Sequence, residues 1–341
     1  MGTDTQSHKG VNFFMSRSTA IPTTSVTPKH VPHYMMLVLI IGVILVIIEC
    51  YFSVTINREH MYSQHGSFFR TLGCILVGAC LAVSGTVMQY ISRNTMTSPS
   101  TMGLTQGTAL ALCIIIIFLP SLSQWLIMIW AIGGAAVGGL VGYSIGHLLP
   151  WKVKSLRQIS GGIVAVCLIT VISMIMYSTY STIDYIDHLV NPTILGNPHF
   201  TIWVLLPVTV GAIVICWLLS LRVQSQSAIA RSFSLGGATT ICMVMVILMT
   251  GISTMLAGPL GLVGIIIPSV LRFFVHNPPI RWLILASSIY GAVLILGLDI
   301  LSHTIDPIFD IAVMPITVVI GAPFLIYQIS KEIERNLLRY S

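Results

Sequence analysis

The stretch Gly258-Pro259-Leu260-Gly261-Leu262-Val263-Gly264-Ile265-Ile266-Ile267-Pro268-Ser269-Val270-Leu271-Arg272 is apolar almost throughout, yet punctuated as a turn would be. Glycines at 258, 261 and 264 and prolines at 259 and 268 would weaken a helix in water. In lipid the same residues are tolerated, because neighbouring helices re-satisfy the backbone groups they free. The stretch is therefore expected to bend and pack closely. We read it as an outer hairpin between two spans, followed by a span that descends to the cytoplasm and ends at Arg272, with an architectural role.

Composition agrees with a lipid setting. Of the 341 residues 55% are hydrophobic and only 8% charged, against about a quarter charged in soluble domains. Apolar runs repeatedly approach the roughly 20 residues that carry a helix across a bilayer, and no barrel-type alternation recurs. The expected class is an all-α, polytopic membrane protein. The net charge of +6 is read as topology rather than as a nucleic-acid signal. The seven cysteines (50, 74, 80, 113, 167, 216 and 242) fall in or beside apolar runs without CxxC spacing, and are read as small buried hydrophobes.

Working outward, the sequence predicts spans at about 34–53, 69–91, 101–119, 124–149, 158–178, 201–221, 238–257, 260–275, 281–301 and 312–329. Residues 1–32 are a polar tail, 33–330 the membrane domain and 331–341 a short second tail. Charge tests the count. With ten spans and both termini inside, 14 of the 16 Lys and Arg residues lie on the cytoplasmic side, only Arg58 and Arg70 falling outside. Fusing 238–275 into one span would leave 9 against 7, so the positive-inside bias favours ten.

Two outer segments, 179–200 and 302–311, are long enough for short interfacial helices. Asp184, Asp187 and His188 in the first, like His60 and His65 in the first outer loop, are read as solvated rather than as metal ligands. Gly134, Gly138, Gly142 and Gly146 repeat every four residues and share one helix face. That face suits close approach of another helix, and packing within the subunit is preferred to a subunit interface.

Chemistry of other kinds is missing from the sequence. There is no GxxxxGK[ST] phosphate loop. Of ionisable groups within or beside spans, Glu49, Asp299 and His147 each sit toward an end, which is not the mid-membrane placement usual in ion-coupled carriers. Neither an enzyme centre nor a coupling-ion site is visible.

Longer motifs speak more specifically. The second span reads Leu76-Val77-Gly78-Ala79-Cys80-Leu81-Ala82-Val83-Ser84-Gly85-Thr86-Val87-Met88-Gln89, followed by Arg93-Asn94-Thr95-Met96-Thr97-Ser98-Pro99 and Met102-Gly103-Leu104-Thr105-Gln106-Gly107. These resemble the VGAALAxSGxxxQ, RNPLAxP and LGxxxGA patterns of the FecCD permeases of ABC importers for ferric siderophores, haem and cobalamin. The stretch at 258–272 resembles the family's GPIGFVGLxxPHxxR, with Ser269 in place of His, and Ile320-Gly321-Ala322-Pro323-Phe324-Leu325 resembles IGAPFF.

This resemblance implies a type II importer permease of ten helices in the bacterial cytoplasmic membrane. The partners it implies are a second permease subunit (identical or paralogous), two cytoplasmic ATPases that hold ATP and Mg, and an extracytoplasmic solute-binding protein. No cofactor is expected on this chain, and it is not expected to be an enzyme. The cargo implied is a ferric siderophore, with haem or cobalamin as the alternative; an ion-coupled secondary transporter with a helix broken at 258–264 is the remaining one.

By the same resemblance, Ala228, Ala230, Arg231, Ser232, Leu235 and Gly236 match the ARSLG-like segment that couples to the ATPase, although Ser225, Gln226 and Ser227 replace the acidic pair before it. Arg70 and His303 stand where relatives dock the binding protein. Met174, Met176, Tyr177, Tyr180 and Met314 are the expected pathway wall. Gly85, Gln89, Arg93, Asn94, Pro99, Gly103, Gly258, Pro259, Gly261, Gly264, Pro268, Arg272, Gly321 and Pro323 are the expected structural positions.

Overall fold

A computed structural model describes residues 33–59, 64–119, 122–150, 154–180, 198–225, 228–275 and 278–305, with positions 317, 319, 321–324, 326, 327 and 330 beyond. The polar tails, most of the 179–200 segment, residues 306–311 and Met314 lie outside the described residues. So do the side chains of Tyr177, Tyr180, His303 and positions 228–236. The chain divides into Met1–His33 and Tyr34–Ser341, and the second unit carries the membrane helices.

Every described element is helical: α1 His33–Glu59, α2 Gln64–Ser92, α3 Leu104–Phe118, α4 Gln124–Leu148, α5 Lys154–Tyr180, α6 Pro198–Ser225, α7 Ala228–Ala257, α8 Val263–Phe274 and α9 Ile280–Ile305. Helical positions between 317 and 330 mark a tenth. The fold is an all-α polytopic bundle. Seven helices are long and apolar enough to cross a membrane by themselves, whereas α3 and α8 are shorter. At about 1.5 Å per residue, α3 is about 22 Å long and α8 about 18 Å, short of a hydrocarbon core of about 30 Å.

α2 forms the centre. Its apolar window is 83% buried, against 11% for α1, which lies on the periphery. α2 packs against α6, α7, α8 and α9, while α4 gathers α3, α5 and α7. Small residues make these approaches possible. A Cβ built on Gly78 would fall on the backbone of Gly291 in α9, and one built on Gly85 would fall on the Gly264 carbonyl in α8. Without water to drive apolar burial, such van der Waals closeness is what holds membrane helices together.

The glycine stripe of α4 is used within the subunit, as its spacing suggested. Gly134 and Gly138 face Gly107 and Gly103 at the start of α3, Gly142 meets the Met102 carbonyl, and Gly146 meets Gly161 of α5.

The stretch at 258–272 lies elsewhere than expected. α7 ends beside Gly73, which Leu256 approaches, whereas Gly264 lies against Gly85 and Pro99. From position 73 to 85 α2 covers about 18 Å. The turn after α7 therefore runs inward by that distance instead of closing at the outer surface, and α8 starts inside the bundle. Irregular backbone is tolerated at such depth where protein surrounds it, which local punctuation cannot reveal.

Candidate functional site

The centre of interest is where three motif segments meet. α2 ends as Arg93 takes a left-handed conformation, φ 53°, and the Asn94 N–H returns to the Gln89 carbonyl at 3.2 Å, a common helix ending. Residues 94–103 then run through the protein interior without helix. Their polar groups are paired locally. The Asn94 Oδ1 accepts the Met96 N–H at 3.1 Å, and the Thr97 hydroxyl donates to the Asn94 carbonyl at 2.8 Å.

Ser98 and Thr101 cap one another. The Thr101 hydroxyl accepts the Ser98 N–H at 2.9 Å and the Ser98 hydroxyl accepts the Thr101 N–H at 3.1 Å. The Pro99 carbonyl takes the Leu104 N–H at 2.9 Å as α3 begins, after Gly103 at φ 87°. This local supply of acceptors is what allows the segment to be buried.

The second motif docks on the first. Gly258 turns the chain at φ 74°, and Leu262 precedes α8 at φ 68°, a conformation that costs a branched side chain about 1–2 kcal/mol. The Leu262 N–H is held by the Ser100 hydroxyl at 3.1 Å. Gly321, from the third motif, lies directly against Leu262, so that a Cβ there would come within 2.6 Å of the leucine Cβ. Pro323 is exposed.

One detail links two motif residues 179 positions apart. Pro268 lies inside α8 and has no N–H, so the carbonyl four residues earlier loses its helical donor. That carbonyl belongs to Gly264. The Gln89 side chain supplies the missing hydrogen bond, its Nε2 donating to the Gly264 oxygen at 3.2 Å. The same carboxamide accepts from the Arg272 guanidinium through Oε1. Gln89 thus repairs α8 at one end of its side chain and anchors the last turn of α8 at the other. Gly85, one turn earlier, supplies the space for this approach.

The remaining expected positions are distributed around this junction. Arg70, at the opposite end of α2, donates to Asp299 of α9 from Nε at 3.2 Å and from Nη2 at 3.0 Å, with the arginine side chain 29% exposed and the aspartate 5%. The charge expected to face a docking protein is thus engaged within the subunit. His303 lies in the last turns of α9.

Ala228, Ala230, Arg231, Ser232, Leu235 and Gly236 form the first turns of α7 and are continuous with the span, rather than a loop that precedes it. Met174 is exposed and Met176 half-buried on α5, whose last turn carries Tyr177 and Tyr180. Two functional contacts were not anticipated from the sequence. Ser100 was not singled out, and Asp299 was noted only as an acid near an outer end. Opposite charges at the same end of two spans were the available signal for the second.

Comparison with known proteins follows the same lines. The model of the FecCD transport family matches residues 30–331. The iron-uptake system permease protein FeuB of Bacillus subtilis is 29% identical over 290 residues, spanning 81% of this chain and 84% of that protein. The iron(3+)-hydroxamate import system permease FhuB of the same organism is 29% identical over 270 residues, 77% of this chain and 70% of that one. The Fe(3+) dicitrate permease FecC of Escherichia coli is 26% identical over 277 residues, 77% and 81% respectively.

Among solved structures, an inward-facing metal-chelate type ABC transporter chain superposes with a TM-score of 0.67 at 19% identity, over 87% of this chain and 99% of that one. That likeness carries the fold. With the motif junction and the family match over nearly the whole length, this multi-pass membrane protein belongs to the FecCD transport family.

Proposed function

We propose that this chain is the permease subunit of an ABC importer that moves a ferric siderophore or related iron chelate across the bacterial cytoplasmic membrane. The observation that carries this reading is the set of relatives, which are permeases of iron-chelate import systems matched over 77–81% of this chain. In this reading two such subunits enclose the path, ATP is hydrolysed on separate cytoplasmic subunits, and a binding protein delivers the chelate from outside. Both termini and the Arg-rich end of the bundle face the cytoplasm.

The geometry supports a mechanical route. α7 is an unbroken helix of 30 residues, about 45 Å long. It joins the coupling positions 228–236 to the turn at Gly258, which rests on the motif junction. A shift imposed on Arg231 by an ATPase would be transmitted along this rod to the start of α8. The pathway would follow the uncovered face of α5, where Val171, Met174 and Ile175 are exposed. That wall offers apolar, polarisable contact rather than fixed bonds to a large chelate.

The test is reconstitution of the full transporter in liposomes with its loaded binding protein. Ferric-siderophore-loaded binding protein should stimulate ATP hydrolysis, while haem or cobalamin should not. Arg231→Glu should leave insertion intact and remove the stimulation; stimulation equal to wild type would overturn the coupling assignment. The short, inwardly starting helices α3 and α8 also suit a secondary transporter. Vanadate-insensitive uptake by this chain alone would favour that reading instead.

A further inference from the structure

Taken one at a time, the seven cysteines are small hydrophobes in apolar runs. The fold brings two of them together. Helices α6 and α7 pack against each other, and Cys216 of α6 and Cys242 of α7 line one half-open cleft between α2, α6, α7 and α9. Both are free thiols, Cys216 buried and Cys242 half-buried. The cavity volume of the cleft is about 60 Å³, under half of the roughly 150 Å³ that admits benzene. It has room for a single ion or a few waters, and an organic solute does not fit.

What this space accepts follows from its lining. Beside the two sulfurs the polar residues are Thr239 and Tyr90, and the rest of the wall is Val, Leu, Ile and Ala side chains. Magnesium and calcium ions take six or more oxygen ligands, which such a wall does not offer. A zinc ion takes four ligands, more than the sulfur pair supplies, and among the described residues no group of three Cys, His, Asp or Glu side chains comes together. Two thiols on facing helices suit a soft monovalent ion of the Cu(I) type, which selects sulfur and is satisfied by two ligands in line.

Charge points the same way. A monovalent ion that displaces the proton of one thiol and takes the second sulfur as a neutral ligand forms a complex without net charge, so no charge is buried against the apolar wall. The step balances: one ion and two thiols give one sulfur–metal–sulfur bridge and one proton released to water, with no electron transferred.

We propose that Cys216 and Cys242 form a two-coordinate binding site for a soft monovalent cation of the Cu(I) type, which bridges α6 to α7.

The purified protein, kept reduced and anaerobic, is titrated with Cu(I) against a chelating competitor, and bound copper is counted by native mass spectrometry. Wild type should hold one Cu(I) at least about a hundredfold more tightly than Cys216→Ala, since even an outer partner of a metal ligand is worth about 10–100-fold in affinity. Cys242→Ala and the double variant should lack that same single ion. Loss of one ion from each single variant and of two from the double would show two separate thiols and overturns the proposal. So does copper binding by Cys216→Ala equal to wild type. A measurement on wild type alone covers the case in which a variant does not fold. Copper X-ray absorption at one equivalent should show two sulfur neighbours, and a single sulfur, or oxygen or nitrogen in its place, refutes the site. Zn(II) retained as tightly as Cu(I) would show that further ligands complete the site, and refutes the two-coordinate assignment.

Discussion

The pairing of Gln89 with the carbonyl freed by Pro268 makes a quantitative prediction. Gln89→Leu keeps the side chain's approximate bulk and removes both of its hydrogen bonds. Interhelical hydrogen bonds in membranes average about 0.6 kcal/mol with a maximum near 1.7, so the bond to Gly264 falls in that range. The bond from Arg272 involves a charge and contributes about 1.5–3 kcal/mol. The sum is a loss of about 2–5 kcal/mol.

The diagnostic part is the coupling. Pro268→Ala restores a backbone N–H to α8 and gives the Gly264 carbonyl its ordinary helical donor. In that background Gln89→Leu should cost less than in wild type, by about 1 kcal/mol, because only the Arg272 contact is then lost. A double-mutant cycle measures this difference directly. The assay is thermal or denaturant unfolding of the detergent-solubilised transporter, followed by size-exclusion of a fluorescent fusion. Additive costs within about 0.3 kcal/mol would show that Gln89 does not serve the carbonyl that Pro268 frees, and the account of the junction would fail.

Other predictions follow from the same packing. Gly138→Val should lower the unfolding temperature of the solubilised protein, since its Cβ would meet the Gly103 carbonyl and the Gly107 backbone, whereas Gly133→Val, with nothing within 4 Å of its Cβ, should leave it nearly unchanged. The overpacking cost at 138 is about 1–3 kcal/mol. Asp299→Asn should destabilise by about 1–3 kcal/mol by leaving the Arg70 guanidinium poorly paired, and joint replacement by Arg70→Met and Asp299→Leu should recover most of that loss in the same melt. The Cys216 and Cys242 side chains lie close together, lining one cleft between α6 and α7. Copper phenanthroline should therefore protect both together from maleimide labelling, as read by mass shift, while independent labelling of the two would contradict their contact.

What the sequence determined by itself is the part that depends on local chemistry. Runs of apolar residues set the membrane class and the succession of helices, because a helix among lipid and packed neighbours must be apolar wherever those neighbours lie. The four-residue glycine repeat on α4 announced a close helix contact, and the motif segments announced the family. Tertiary structure decided which groups answer one another. Pro268 announces a free carbonyl but not that Gln89, 179 positions earlier, supplies the donor. Arg70 looks like an exposed charge until Asp299, 229 positions later, is brought beside it. The punctuation at 258–262 reads as a surface turn until Ser100 is found waiting inside the bundle for the Leu262 N–H. Hydropathy reports the solvent that each residue prefers, whereas a hydrogen bond needs two partners at one point in space, and only the packed bundle brings them there.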